Sequence, residues 1–368
     1  MLLMALDGNS LAYRAFFALP EDMTNASGQS TNSVYGFTTM LLNLIREHKP
    51  DGIAVVFDRP EPTFRHEAIP EYKAQREKAP DTLVQQLGLV RGMLDALGIK
   101  WFELAGYEGD DIIATLAEKS ERAGHQLIVV TGDRDSYQLV KDPLIRVLYN
   151  KRGVSDYALY DEAGILERTG VTPALYAEYA ALRGDPSDNL LGIPGVGEKT
   201  AAKLMTQYGS LEAVVAAADA QTPKLKAGLL EHGERVKRNA EMMVLRRDVP
   251  VEIDLDDLSP RPDLAAAQQM FDFLEFKTMG KRLKDLVDSM GWESKGETTS
   301  TPNETSSSSV KELSSVVEVL SGADAKKTLG RTKRWVVAAD FAGDVGRSDL
   351  RGIAVVSDSE KGHVSYVP

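Results

Sequence analysis

Three short apolar runs end on carboxylates: LLMALD (residues 2–7), GIAVVFD (52–58) and QLIVVTGDRD (126–135). Runs of this length, rich in Val, Ile and Leu and without polar alternation, predict strands buried on both faces. Between them apolar residues recur at helical spacing, in TTMLLNLIREH (38–48) and DDIIATLAEKSERAG (110–124). Strands alternating with helices predict an α/β domain with a mostly parallel sheet. Ligands of such sheets sit beyond the carboxyl ends of the strands, where all three acidic endings fall.

The pattern turns wholly helical from residue 172, in TPALYAEYAALRG, EKTAAKLMTQYG and LEAVVAAADA. We therefore expect a first domain over 1–171 and a smaller helical domain over 172–290. Residues 291–310, which include the Ser/Thr-rich run SKGETTSTPNETSSSS, predict a flexible linker. Residues 311–368 then predict a helix (KELSSVVEVLSG) and strands in RWVVAADF, LRGIAVVS and GHVSYVP. So few elements leave a sheet without cover, so this partial α/β domain is expected to be cut short. No internal repeat is evident.

The length, 368 residues, accommodates two or three domains, and the 43% hydrophobic and 27% charged content is that of a globular protein. The chain has no cysteine, which excludes disulfides and thiolate metal sites and suits a reducing cytoplasm. Five histidines argue against an imidazole zinc site. Asp7 interrupts the apolar start too early for a signal-peptide core. No apolar run nears the roughly 20 residues that span a bilayer. A net charge of −12 argues against a wholly basic nucleic-acid binder, but acids gathered around metal ions would produce the same sum.

Where those acids stand decides between the two. Asp7 closes the first run and Asp58 the second; Asp133 and Asp135 follow the third, and Glu108, Asp110 and Asp111 open a helix in GYEGDD. Asp185 and Asp188, three apart, would share one face of a helical turn. Taken singly each has an ordinary reading, as a helix cap, a strand-end turn or an Asx turn. Taken together, so many carboxylates at one sheet edge repel one another unless protons or metal ions neutralise them. Oxygen-only ligands select Mg²⁺ or Mn²⁺, and two such ions suit displacement at phosphorus.

The stretch GIPGVGEKTAAKL adds a second kind of chemistry. Gly192, Gly195 and Gly197 permit positive φ and close backbone approach, and the helix that follows would aim free N–H groups at a phosphate. Lys199 and Lys203 add charge there, beside Thr200. A tight helix–helix connection would also use glycine, but the full hairpin followed by Lys-Thr-Ala favours contact with a DNA backbone. Residues 59–80 interleave Arg59, Arg65, Lys73, Arg76 and Lys78 with Phe64 and Tyr72 among four prolines. They predict either a solvated loop or a mobile clamp on a single strand, with cations for phosphates and a ring for stacking. Arg14, the cation nearest Asp7 in sequence, is a candidate phosphate contact.

The segments FDRPEPTFRHEAIPEYKAQR, GYEGDD, TGDRDSYQL and GDPSDNLLGIPGVGEKTAAKL, in this order, resemble the 5′-nuclease (flap endonuclease) family over about residues 1–290. The form resembled stands at the N-terminus of a bacterial DNA polymerase. The resemblance implies a PIN-like α/β domain followed by a helix-three-turn-helix (helix-hairpin-helix) domain. It implies a two-metal 5′–3′ exonuclease and flap endonuclease that removes RNA primers and 5′ flaps in replication and repair. Asp7, Asp58, Glu108 and Asp110 would form one metal group, with Asp111 beside them, and Asp133, Asp135, Asp185 and Asp188 the other. Tyr72, Lys73 and Arg76 would belong to a helical arch that receives the flap, Arg14 would contact phosphate, and hairpin carbonyls would hold a monovalent cation. The implied partner is DNA bearing 5′ flaps, nicks or RNA primers, met by a monomer in the nucleoid-containing cytoplasm, away from membranes. The tail resembles the opening of a 3′–5′ exonuclease domain, with Asp340 in VVAADFAGD but Ala342 where a glutamate is expected, which implies an inactive domain.

Overall fold

The computed structural model describes residues 1–295 and, further on, the backbone of the strands within 316–367. The chain forms two compact units, Met1–Glu297 and Thr298–Pro368. In the first, β1 (Leu2–Asp7), α1 (Gly8–Ala18), α2 (Asn32–His48), β2 (Gly52–Val56), α3 (Phe64–Ala68) and α4 (Asp81–Ala96) come first. Next are β3 (Lys100–Phe102), α5 (Gly109–Arg122), β4 (Gln126–Thr131), β5 (Ile145–Arg152), β6 (Asp156–Tyr160) and α6 (Glu162–Thr169). The helical part follows: α7 (Tyr176–Arg183), α8 (Glu198–Tyr208), α9 (Leu211–Ala216), α10 (Pro223–Met243), α11 (Leu264–Phe273) and α12 (Met279–Met290).

The sheet has six strands in the order β3-β2-β1-β4-β5-β6, parallel except for the antiparallel edge strand β6. The run at 52–58 leaves the sheet after Val56 and the run at 126–135 after Thr131, so Asp58 and Asp133 stand on loops and Asp135 opens a short 3-10 helix, Asp135–Leu139. Register sets Asp7 beside Val56 and Leu6 beside Val130, which brings all these loops to one edge. Strands β3, β5 and β6 have weaker signals: β3 is three residues long, and IRVLYNKR in β5 carries charges suited to the sheet's margin.

Both faces of the sheet are covered, which explains the unbroken apolar runs. Leu3, Ala5, Ala54, Val56 and Val129 face α5 and a core continuous with Tyr176, Ala180, Leu204 and Val236 of the helical part. Met4, Leu6, Ile53, Val55 and Val130 face α1, α2 and α4. This second layer also holds Phe271, Leu283 and Leu286, so α11 and α12, expected with the helical domain, pack on the far side of the sheet. The start of the expected linker is also anchored: Trp292 packs on that core and the Lys295 amide donates to the Pro262 carbonyl. The remainder of the linker, 296–310, lies outside the described residues.

In the second unit β7 (Val316–Val319), β8 (Val337–Phe341), β9 (Leu350–Asp358) and β10 (His363–Val367) form a sheet in the order β7-β10-β9-β8. Val316–Val319 was expected within a helix and is a strand, parallel to β10. Its Val-Val-Glu-Val sequence is stiff at χ1 and favours extended backbone. The rest of that expected helix, and Ala342, lie outside the described residues.

Candidate metal centre and nucleic-acid interface

The strand ends deliver the carboxylates through local capping. Asp7 caps α1, its Oδ1 accepting the Ser10 amide at 2.9 Å and its Oδ2 the Thr131 hydroxyl at 2.9 Å. Asp58 Oδ1 accepts the Gly109 amide at 2.6 Å, tying the end of β2 to the start of α5. Glu108 caps α5, and Asp110 follows in the first turn. Asp133 Oδ1 accepts the Asp135 amide at 2.9 Å. Asp185 and Asp188 do not share a helical face: paired backbone hydrogen bonds between Asp185 and Leu190 close a loop, and Asp185 Oδ1 takes the Ser187 amide and hydroxyl. Asp185–Pro186–Ser187 is an Asx turn, not a helical turn.

Asp7, Asp58, Glu108, Asp110, Asp133 and Asp185 line one open cleft of about 640 Å³, and Asp135 and Asp188 a smaller recess that also touches Glu108, Asp110 and Asp133. The electrostatics are those of crowded acids. Burial, then the charges of Asp58 and Asp133, push Asp7 up to about 7. Burial, then neighbouring aspartates, also hold Asp110 and Asp135 well above the usual carboxylate range, and burial raises Asp133. Asp110 Oδ1 is buried without any hydrogen-bond partner. Among the described residues no three acids yet enclose one point as an ion requires. An all-oxygen set with an orphaned buried oxygen nonetheless fits a hard divalent cation, which would draw the acids together.

Part of segment 59–80 is strapped onto the acids by Tyr72, Lys73 and Arg76, while residues 59–62 and 77–78 are exposed. The Lys73 ammonium lies 2.7 Å from Glu108 Oε1 and 4.0 Å from Asp188, and Arg76 Nη2 donates to Asp188 Oδ1 at 2.7 Å. The Lys73 amide donates to the Asp188 carbonyl, and the Asn189 amide side chain to the Glu71 carbonyl. Burial disfavours the Lys73 ammonium, yet the Glu108 and Asp188 charges raise its pKa and keep it protonated. Excess negative charge thus draws the segment's own cations inward. Tyr72, expected as a stacking ring, is 3% exposed, and its hydroxyl lies 3.0 Å from Glu108 Oε2 and 2.9 Å from Asp188 Oδ2, which share its single proton. In this position its ring is closed to a base.

Two further placements differ from expectation. Asp111 does not line the open cleft: it is fully buried and forked onto Arg65, with Nη1 2.6 Å from Oδ2 and Nη2 2.8 Å from Oδ1. Arg65 read as one more cation of a basic stretch, and nothing in its spacing signalled a buried partner. Arg14 donates to the carbonyls of Asn150 and Lys151, so it braces the end of β5 instead of reaching over the acids. Asn9, Tyr13, Arg134 and Arg183 also line the cleft and were not singled out in the sequence.

The hairpin between α7 and α8 divides its glycines among different tasks. Of Gly192, Gly195 and Gly197, only Gly195 has positive φ, at 81°. Gly192 is packed against the end of α7, and a Cβ there would lie 2.4 Å from the Gly184 nitrogen and Arg183 carbonyl carbon. Gly197 caps α8 in open space. Gly195, Lys199, Thr200 and Lys203 border a groove of about 470 Å³ together with Lys224. These three lysines are exposed and make no ion pair among the described residues, whereas Glu198 is tied to Arg134 at 3.2 Å and Arg183 at 3.5 Å. Gly192→Ala should cost about 3 kcal/mol or more by forcing backbone apart, while Gly197→Ala, at a helix cap in open space, should cost about 1 kcal/mol or less; thermal unfolding of the pair checks this.

Comparisons place this architecture. Residues 2–170 match the model described as 5′-3′ exonuclease, N-terminal resolvase-like domain, and residues 171–265 that of 5′-3′ exonuclease, C-terminal SAM fold. DNA polymerase I of Mycobacterium bovis is 47% identical over 291 residues, covering 78% of this chain and 32% of that protein. The thermostable DNA polymerase I of Thermus aquaticus is 38% identical over 276 residues, covering 75% and 32%. The chain thus spans 32% of the length of either relative. Among solved structures, zinc-bound T5 5′-exonuclease aligns at TM-score 0.56 and 21% identity, over 79% of this chain and all of that one. The catalytic core of Rad2 in complex with DNA substrate aligns at TM-score 0.51 and 17% identity, over 78% and 92%. Those two likenesses speak for the fold. The sequence matches, running in order through both parts of the first unit, show that the chain belongs to the 5′-3′ exonuclease family.

Proposed function

We propose that this chain is a structure-specific 5′ nuclease, a 5′–3′ exonuclease and flap endonuclease that hydrolyses phosphodiester bonds in DNA with 5′ flaps, nicks or RNA primers. The observation that carries this reading is the orphaned, buried Asp110 oxygen amid aspartates of raised pKa, in one unit with a groove bordered by three lysines that make no ion pair among the described residues. Asp7, Asp58, Glu108 and Asp110 would hold one divalent ion, and Asp133, Asp135, Asp185 and Asp188 a second. Mg²⁺ is the expected ion and Mn²⁺ its substitute; bound there, such ions supply a nucleophile at neutral pH and stabilise charge on the attacked phosphate. Asp111, held by Arg65, is withdrawn from the ligand set.

The chain's own residues do the remaining work. Lys73 and Arg76, released from Glu108 and Asp188, would place the incoming strand. Gly195, Gly197, Lys199, Thr200 and Lys203 would grip the duplex backbone without reading sequence, with a monovalent cation on the hairpin carbonyls. Lys199→Ala should weaken duplex binding and make the plot of log affinity against log salt shallower by about one unit, as expected for one lost phosphate contact. An unchanged slope in a salt titration would return the hairpin to a structural role.

For the whole protein we propose a monomeric, nucleoid-associated cytoplasmic enzyme in which a proofreading-like domain without activity and a DNA polymerase follow this nuclease. Among the described residues no helix is long and apolar enough to cross a membrane. The deciding experiment offers the protein, with Mg²⁺ or with EDTA, a labelled flap duplex, a single-stranded RNA and a small phosphomonoester. Metal-dependent cutting of the flap alone is expected. Preference for either other substrate would overturn the assignment.

A further inference from the structure

Arg65 stands on α3, at the foot of the strapped segment, and is 2% exposed. Beyond its fork onto Asp111, its Nε donates to the Met242 carbonyl at 2.7 Å and its Nη1 to Glu108 Oε2 at 3.2 Å. Asp111 in turn accepts the Glu108 amide on Oδ2 and the Arg246 amide on Oδ1. The pair is therefore neutral as a unit, saturated with hydrogen bonds and locked among α3, α5 and the chain that follows α10. Splitting it would leave an uncompensated buried charge, so it stays together in the fold.

Among the described residues lining the open cleft, Glu108 is the one to which this pair is hydrogen-bonded. Its Oε2 is held from behind by Arg65 and the Tyr72 hydroxyl, while its Oε1 is bound by the Lys73 ammonium. One oxygen is fixed and the other is offered to a cation. We propose that the Arg65–Asp111 pair is a positioning device for metal binding: it acts through Glu108, presenting Oε1 to a divalent ion, and Asp111 itself never ligates. This rests on the reading that the cleft holds divalent ions. Outer partners that orient a ligand typically govern metal affinity by about 10- to 100-fold.

Two variants test it. Arg65→Met with Asp111→Asn removes the pair at no change in net charge, so the total charge of the site is kept. Arg65→Lys keeps both the charge and Asp111 but lacks the planar fork. Mn²⁺ binding is titrated by electron paramagnetic resonance without DNA, beside Tm, duplex binding in EDTA and single-turnover flap cleavage against Mg²⁺ concentration. Phe271→Leu, on the far side of the sheet, serves as a control that lowers Tm alone. Both Arg65 variants should bind Mn²⁺ about tenfold more weakly and need correspondingly more Mg²⁺, with duplex binding unchanged. Loss of Tm with unaltered Mn²⁺ binding would make the pair merely structural and overturn the proposal. Weakening in the double variant but not in Arg65→Lys would make Asp111 a ligand and also overturn it. Both failures leave metal-dependent cleavage by the unaltered protein intact; a wild type that neither binds Mn²⁺ nor cuts the flap would instead overturn the reading of the cleft.

Discussion

Asp110→Ala is expected to abolish flap cleavage while leaving duplex binding in place and raising thermal stability in EDTA. The structure gives Asp110 one buried oxygen without a partner and the charges of Asp133, Asp7 and Asp58 around it. Such a carboxylate is a liability to the fold, retained where function needs it. Its removal relieves repulsion and desolvation, so Tm should rise. A divalent ion contributes several kcal/mol to stabilising charge at phosphorus, so misplacing it costs on the order of 10³-fold in rate or more. Asp58→Ala should lose comparable activity without the gain in Tm, because Asp58 Oδ1 also holds the Gly109 amide at the start of α5. Single-turnover cleavage, filter binding and thermal unfolding of both variants check the set. Near-wild-type turnover in either would defeat the metal assignment.

Replacing both Lys73 and Arg76 by alanine should move two quantities in opposite directions. Lys73 and Arg76 now neutralise Glu108 and Asp188, two of the acids assigned to metal. Without them those acids have lost their internal cations, so the double variant should bind Mn²⁺ more tightly. The same side chains are proposed to place the strand, and misplacement of a reacting phosphate by about 1 Å costs roughly 10²-fold. Flap cleavage at saturating enzyme should therefore fall by about that factor although more metal is bound, with duplex binding nearly unchanged. Nicked duplex, with less strand to guide, should suffer less. Equal losses on both substrates would leave placement standing and refute flap guidance. Unchanged Mn²⁺ affinity would show that the strap does not compete with the ion.

Local patterning determined much of this protein. The unbroken Val/Ile/Leu runs could be satisfied only by strands covered on both faces, and acids directly after β1, β2 and β4 must then reach one edge of a parallel sheet. The acidic residues of the cleft and the glycine hairpin ahead of α8 were legible for that reason, since each rests on spacing within a few residues. Partners distant in sequence were left to tertiary packing. Arg65 and Asp111 are 46 residues apart, and only the docking of α3 on α5 makes them a buried pair instead of a surface cation and a metal ligand. Lys73 and Arg76 fold onto Glu108 and Asp188 because the whole site supplies the negative field; no feature of residues 59–80 alone contains it. Helices α11 and α12 have apolar faces suited to either core, and the return path of the chain sends them to the sheet. Period and capping are local energies written residue by residue, whereas the choice among equivalent charged or apolar partners is settled by which surfaces the fold brings together.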